Sequence, residues 1–480
     1  MCIFAAQFGL MARRKKNIIL SNVQFFGIAD EGKAVGKTED GQVVFAKGVV
    51  PGDSADVLVL KKRKGHIQGV VRQINTFSNE RVEPVCSHFG TCGGCKWQNL
   101  DYAAQLRHKA VVVENALIRL GKISVGEWLP ILAAESPYYY RNKMEFAFSC
   151  KQWLTHEEIN SEKSNAADVL GFHPAGGFDK VIDIQHCWLQ PDPSNAVRNT
   201  VRAIAIAQGL SFYDVKKHEG FLRNLMLRIT TTGETMALIA FGEDNPDLRR
   251  PFLEEVERRL PQITTLVYCI NTKMNDTIWD LPVHTWSGKG YAEEQLGHVR
   301  FRIGPKSFFQ TNTRQGENLY DVVARFANLQ GHENVYDLYT GIGSIGLYVA
   351  KDCKQVVGIE EVAAAIDDAK INAEVNGVEN VKFYVGDVRA ILTSDFAAQH
   401  GKPDLLITDP PRAGMHEDVI NMLLELEAPR IVYVSCNPGT QARDLGRLST
   451  KYQVLKVQPV DMFPHTHHIE SVALLELHKS

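Results

Sequence analysis

From residue 308 onward, short apolar runs alternate with helix-like stretches, and no other feature of the 480-residue chain constrains its fold as strongly. A helical pattern over 314–329 precedes Val335-Tyr336-Asp337-Leu338. Then come Val356-Val357-Gly358-Ile359-Glu360, a helix over 363–376, Val381-Lys382-Phe383-Tyr384 and Leu405-Leu406-Ile407. The run 431–434 and a last pair near 453–460 and 471–477 complete the series. Apolar strands separated by helices specify an α/β fold with a doubly wound, largely parallel sheet, because parallel neighbours need crossover connections.

Upstream the pattern differs. Residues 17–76 alternate as short strands, with turn signals at Glu39-Asp40-Gly41 and Pro51-Gly52-Asp53, and predict a small antiparallel β-barrel. Net charge is only −3, yet residues 13–75 hold twelve Lys or Arg against six Asp or Glu, including Lys61-Lys62-Arg63-Lys64. A basic module on a near-neutral enzyme suits an RNA partner. Residues 101–120 carry Leu106, Ala110, Val113, Leu117 and Leu120 at helical spacing and stop at Gly121, so they read as a helix that packs on the catalytic domain. Residues 130–300 mix strand-like runs with turns and show no βα alternation, which predicts an α+β middle domain with a polar surface insertion over 151–168.

The resulting division is a disordered leader over 1–16, a barrel over 17–76, a middle domain over 77–307 and a catalytic domain over 308–480. Met1 and Met11 both stand as starts. The first apolar residues precede the basic cluster Arg13-Arg14-Lys15-Lys16, the reverse of a signal peptide, and no stretch nears the ~20 apolar residues of a membrane span. The chain reads as cytoplasmic and monomeric, without a membrane. Nine cysteines in such a chain point to metal or catalysis rather than disulfides.

The motif Asp337-x-x-x-Gly341-x-Gly343 follows a strand and opens a helix, where small residues let the backbone pass close to a ligand. Glu360 ends the next strand and is placed to accept ribose hydroxyls; Asp387 follows the third, where it can meet an adenine amino group. The glycine spacing is not that of a dinucleotide pyrophosphate site. A ligand with ribose and adenine but no phosphate fits, which points to S-adenosylmethionine and a Rossmann-like methyltransferase domain.

Asp409-Pro410-Pro411-Arg412 follows the apolar run 405–407, and Cys436 follows the run 431–434. Methyltransferases acting on exocyclic amines carry an aromatic residue where Arg412 stands. Uracil C5 is not nucleophilic until a thiolate adds at C6, after which a base must remove the C5 proton so that the thiol can leave. That chemistry requires a cysteine and a Glu or His, and the chain supplies Cys436 and Glu470.

These segments, with Ser307-Phe308-Phe309-Gln310-x-Asn312, Ser435-Cys436-Asn437-Pro438-x-Thr440 and the stretch from Asp461 to Glu470, resemble the RNA (uracil-5-)-methyltransferases that act on 23S rRNA and tRNA. The resemblance implies Cys436 as the nucleophile and Glu470 as the base. It places Gln310 and Asp409 near uracil and methyl donor, and Tyr339, Glu360 and Asp387 at cofactor positions.

Cys86-x5-Cys92-x2-Cys95, with Cys187 as a distant fourth, could hold zinc or [4Fe–4S] by spacing alone. The rRNA branch of the resembled family carries a [4Fe–4S] cluster on this spacing, which implies the cluster here in a structural role. The barrel resembles the TRAM domain of the same branch, and Tyr139-Tyr140-Arg141-Asn142-Lys143 matches a family segment suited to an RNA contact. The expectation is formation of 5-methyluridine in 23S rRNA, with tRNA as the alternative substrate. A radical methylthiotransferase is disfavoured by the five-residue first gap of the cysteine motif. A non-catalytic RNA-binding module is disfavoured by the intact Cys436, Glu470 and Asp409.

Overall fold

The computed structural model describes residues 18–161 and 167–478, so the leader expected over 1–16 lies outside the described residues. The chain forms two compact units that meet in sequence between Val82 and Glu83.

In the first unit, strands Ile19–Ile28, Ala34–Lys37, Val43–Lys47, Ser54–Arg63 and His66–Thr76 close into a barrel around Val23, Phe25, Val44, Val57 and Ile67. The sequence predicted purely antiparallel pairing, and one contact corrects that: Val43–Lys47 runs parallel to His66–Thr76. The reason is parity. Strands alternating in direction around a ring close without a parallel pair only when their number is even, and this ring has five.

The second unit holds two large sheets. A seven-stranded sheet of mixed direction spans from Lys143–Ser149 to Val283–Ser287. Only Thr235–Phe241 and Thr265–Ile270 are parallel neighbours, and the helix Pro246–Arg259 makes the crossover between them. That helix and Ser194–Ala207 pack on the sheet through Phe252, Val256, Val197 and Val201. This is the α+β arrangement that the lack of βα alternation predicted.

The other sheet has eight strands. We label those carrying the site β1 (Asn334–Leu338), β2 (Gln355–Glu360), β3 (Val381–Val385), β4 (Leu405–Thr408), β5 (Arg430–Ser435), β6 (Tyr452–Val460) and β7 (Glu470–Leu477). The helices that matter are α1 (Tyr102–Asn115), α2 (Thr313–Ala327) and α3 (Pro438–Leu448). The order is β3-β2-β1-β4-β5-β7-β6, and the short strand Val125–Trp128 joins beside β6. β1 to β5 are mutually parallel, and β7 enters antiparallel to both β5 and β6.

The central strands are apolar on both faces because helices cover both. Tyr336, Leu406 and Tyr433 enter one core; Val335, Ile407, Val432 and Val434 enter the other. α1 continues through a wider π turn over Ala116–Leu120, and its Val113 and Leu117 join Ala442 and Leu445 of α3 in the first of these cores. The hairpin Ala292–Leu296/Val299–Ile303 joins the second core through Phe301 and Ile303, so this core begins before residue 308.

Phe301 is fully buried with its ring 5.4 Å from that of Phe309. Phe301→Ala should therefore cost about 3–5 kcal/mol of stability by denaturant unfolding, whereas a loss below about 1 kcal/mol would place the hairpin outside the core.

Candidate active site

Pairing register alone assembles the centre of the site. β5 and β7 are antiparallel with Ser435 opposite Ser471, so the residue after β5 and the first residue of β7 share one end of the sheet. Those residues are Cys436 and Glu470. Thr408 of β4 lies opposite Tyr433 of β5 and Leu338 of β1, which sets Asp409 and Tyr339 at the same edge. Glu360 pairs with Val385 at the ends of β2 and β3, two residues before Asp387. This is the carboxyl edge, where ligands of open α/β sheets bind.

The edge is partly buried and rich in acids. Glu470 is 6% exposed, and its pKa is raised well above the usual carboxylate value, first by burial and then by Asp409. Burial, with Asp337 adding to it, pushes Asp409 up to about 7. Cys436 is pushed up to about 11 by burial, then by Glu470 and Asp409, with Arg412 opposing. Cys436 also stands one residue before Asn437, whose side chain caps α3 by accepting the Gly439 N–H at 3.0 Å. A helix N-terminus favours a thiolate, yet here burial and the two carboxyls prevail. That shift holds Cys436 as a thiol at neutral pH.

The glycine turn after β1 is built from left-handed backbone. Tyr339, Gly341 and Gly343 have φ of 63°, 58° and 79°, and a Cβ on Gly343 would approach Phe383 Cζ to 3.0 Å. Glu360 accepts the Gly341 N–H at 3.2 Å and the Val362 N–H at 3.0 Å. Asp337, read in the sequence only as part of the loop motif, is buried, raised to about 7, and accepts from the Thr340 hydroxyl and the Gly346 N–H. It anchors the loop from beneath. Asp387 behaves differently from its neighbours: the Arg389 guanidinium grips its carboxylate and holds it down at about 2, and it caps the short helix Val388–Ile391. Gln310 is buried just before α2, and its carbonyl accepts from Asn142 Nδ2 at 2.8 Å.

Sequence reading did not assign a role to Arg412 or His468. Arg412 Nη2 lies 3.3 Å from His468 Nδ1, and the Arg412 carbonyl accepts from Asn437 Nδ2 at 3.0 Å. The His467 and His468 rings lie 4.1 Å apart. The departure of Arg412 from an aromatic residue was the available signal.

Cys86, Cys92, Cys95 and Cys187 line one cavity of about 420 Å³, together with apolar side chains such as Met144, Phe172 and Leu189. Two sulfurs already receive donors: Gly94 N–H reaches Cys92 Sγ at 3.4 Å and Gln98 Nε2 reaches Cys95 Sγ at 3.2 Å. Among the described residues, no three His, Cys, Asp or Glu side chains converge closely enough to hold a single metal ion. A lone Zn²⁺, at about 2.3 Å from each sulfur, would draw the four thiolates together.

Because the raised pKa keeps Cys436 protonated at neutral pH, its alkylation by iodoacetamide in the RNA-free protein should rise about tenfold per pH unit from pH 7 to 10. Peptide mass spectrometry reads this site alone, and a plateau near pH 8 would contradict the burial argument.

Comparison with known proteins gives the family. Residues 293–478 match the family model described as tRNA (Uracil-5-)-methyltransferase. The chain is 49% identical over 454 residues to an uncharacterized RNA methyltransferase of Bacteroides thetaiotaomicron, covering 94% of this chain and 100% of that one. It is 48% identical to another from Porphyromonas gingivalis, covering 93% and 98%. Among solved structures it is similar to the tRNA (uracil-54, C5)-methyltransferase of Pyrococcus abyssi in complex with S-adenosyl-L-homocysteine, with 27% identity, a TM-score of 0.72 and coverage of 94% and 100%. The chain belongs to the tRNA (uracil-5-)-methyltransferase family of S-adenosylmethionine-dependent RNA methyltransferases.

Proposed function

We propose that the protein forms 5-methyluridine in 23S rRNA through a covalent adduct between Cys436 and uracil C6. The observation that carries this reading is the juxtaposition of Cys436 and Glu470 across the Ser435–Ser471 pair, beside the half-buried Asp409. The target base leaves its stack to reach this edge, so a loop or single-stranded uridine is the substrate.

S-adenosylmethionine would supply the electrophilic methyl group, and Glu360 with the turn at Tyr339 to Gly343 would hold its nucleoside. The Cys436 thiol gives up its proton to solvent as sulfur bonds to C6, and the electron pair of the C5=C6 bond moves onto C5 and O4. The C5 electron pair then takes the methyl group, and the S–CH3 bond breaks with its pair on sulfur to leave S-adenosylhomocysteine. Glu470, as carboxylate, takes the C5 proton; the C5–H electrons rebuild C5=C6, and the C6–S bond breaks with its pair on sulfur. Asp409 and Gln310 would stand beside the base and the methyl donor, and Asp387 would meet the adenine. Burial of the acids suits this sequence, because a raised pKa makes Glu470 a stronger base when it ionises.

We read the four-cysteine cavity as the seat of a [4Fe–4S] cluster held by Cys86, Cys92, Cys95 and Cys187. Its support is the cavity size, the apolar walls and the N–H donors aimed at two sulfurs, a combination suited to thiolates around a cluster. The cluster would lock the knuckle to the segment carrying Cys187. The N-terminal barrel, with Lys61 to Lys64 exposed, is read as a TRAM-type RNA-binding module. A tRNA substrate is the second reading, favoured by the family description and by the Pyrococcus abyssi enzyme.

The test is to map 5-methyluridine in 23S rRNA and tRNA from a strain lacking the gene. Loss from rRNA alone supports the proposal; loss from tRNA alone transfers it to the second reading. In vitro, Cys436→Ala should lower kcat by about 10⁴-fold or more, and Glu470→Gln should accumulate an RNA–protein adduct on a denaturing gel. Methyl transfer by Cys436→Ala at the wild-type rate would overturn the mechanism.

A further inference from the structure

The segment between β6 and β7 ends in Glu470, and its backbone is held by residues from far upstream. Met462 O accepts from Asn312 Nδ2 at 2.9 Å and Pro464 O from the Tyr140 hydroxyl at 2.9 Å. His465 O accepts the Lys96 and Trp97 N–H groups at 2.7 and 3.2 Å. The two strongest anchors come from one face of α1, four residues apart. Lys109 Nζ bonds Asp461 Oδ1 at 2.6 Å and Phe463 O at 3.1 Å. Gln105 Oε1 accepts the His465 N–H at 2.9 Å, and Gln105 Nε2 lies 3.1 Å from His465 Nδ1.

Stability alone does not call for an ion pair here. Lys109 is 1% exposed and Asp461 0%. A buried ion pair seldom outweighs the desolvation of its charges, and an apolar pair of similar volume often serves stability as well or better. What the pair does fix is geometry. Asp461 follows Val460, which lies opposite Glu470, so holding Asp461 holds the strand end beside the carboxylate. His465 has φ of 62°, a conformation that a non-glycine residue keeps only when its surroundings impose it, and the Gln105 amide grips both its backbone and its ring. The same helix and the turn after it pack through Val113 and Leu117 against Ala442 and Leu445 of α3, which begins two residues after Cys436. α1 thus supports both the nucleophile and the carboxylate.

We propose that Gln105 and Lys109 are positioning residues for proton abstraction: they set Glu470 against the C5 proton of the Cys436 adduct. The proposal rests on the reading of Glu470 as the base. When the segment 461–469 is loosened, sulfur still adds to C6 and C5 still gains its methyl group. Transfer of the C5 proton to Glu470 slows, and the C6–S bond persists.

The test uses the full-length protein with its RNA and S-adenosylmethionine. Gln105→Leu and Lys109→Met are compared with wild type and Glu470→Gln. Each should lose about 10- to 100-fold in kcat, keep KM for both substrates within about twofold, and accumulate a methylated RNA–protein adduct like that of Glu470→Gln. Should Lys109→Met fail to fold because Asp461 is left unpaired, Gln105→Leu decides. Folded variants that lose kcat without adduct, while Glu470→Gln forms it, would overturn the positioning role but not the base. Absence of adduct in Glu470→Gln would overturn the base itself, and this inference with it.

Discussion

One pairing register holds the candidate chemistry together. β7 enters the sheet between β5 and β6, against the direction of its neighbours, with Ser471 opposite Ser435. A slip of one residue would turn Glu470 to the other face of the sheet and away from Cys436. That register is protected from both sides, because Val472 and Leu474 lie in one core while Ala473 and Leu475 lie in the other. A strand buried on both faces has no register that leaves its apolar set satisfied except the one that packs. The site therefore inherits its precision from core packing rather than from contacts among the reacting groups.

Burial at this edge sets the protonation states as well as the geometry. Glu470, Asp409 and Asp337 are all pushed upward, and Cys436 with them. Glu470 and Asp409, when ionised, oppose ionisation of Cys436, so raising their pKa values lessens that opposition. Arg412 is the cation that eases both Cys436 and Glu470 towards ionisation. The half-buried Asp387, paired with Arg389, shows the contrast: the same side chain beside a guanidinium is held down at about 2.

Much of the catalytic sheet was legible in the sequence because its strands are doubly covered and so read as unbroken apolar runs: Leu405 to Ile407 and Ile431 to Val434 are examples. Strand ends then located Asp409, Cys436 and Glu360 by simple counting. What counting could not reach was long-range. The parallel pair in the barrel follows from ring parity, which requires knowing that five strands close. Arg389 capturing Asp387 depends on a local rotamer choice. The Lys109–Asp461 pair joins residues 352 positions apart, and a lysine on a helix pattern reads as solvated until a buried aspartate is found beside it. Glu470 itself was found through its motif and the demands of uracil chemistry, not through periodicity.

The central claim is that Cys436 opens the base and Glu470 closes the reaction. RNA carrying 5-fluorouridine tests it most directly, since fluorine at C5 cannot be removed as a proton. With S-adenosylmethionine present, the account predicts a stable protein–RNA complex carrying one methyl group, with the nucleotide attached to the Cys436 peptide by mass spectrometry. Attachment at any other residue, or complete turnover without a trapped complex, would contradict it.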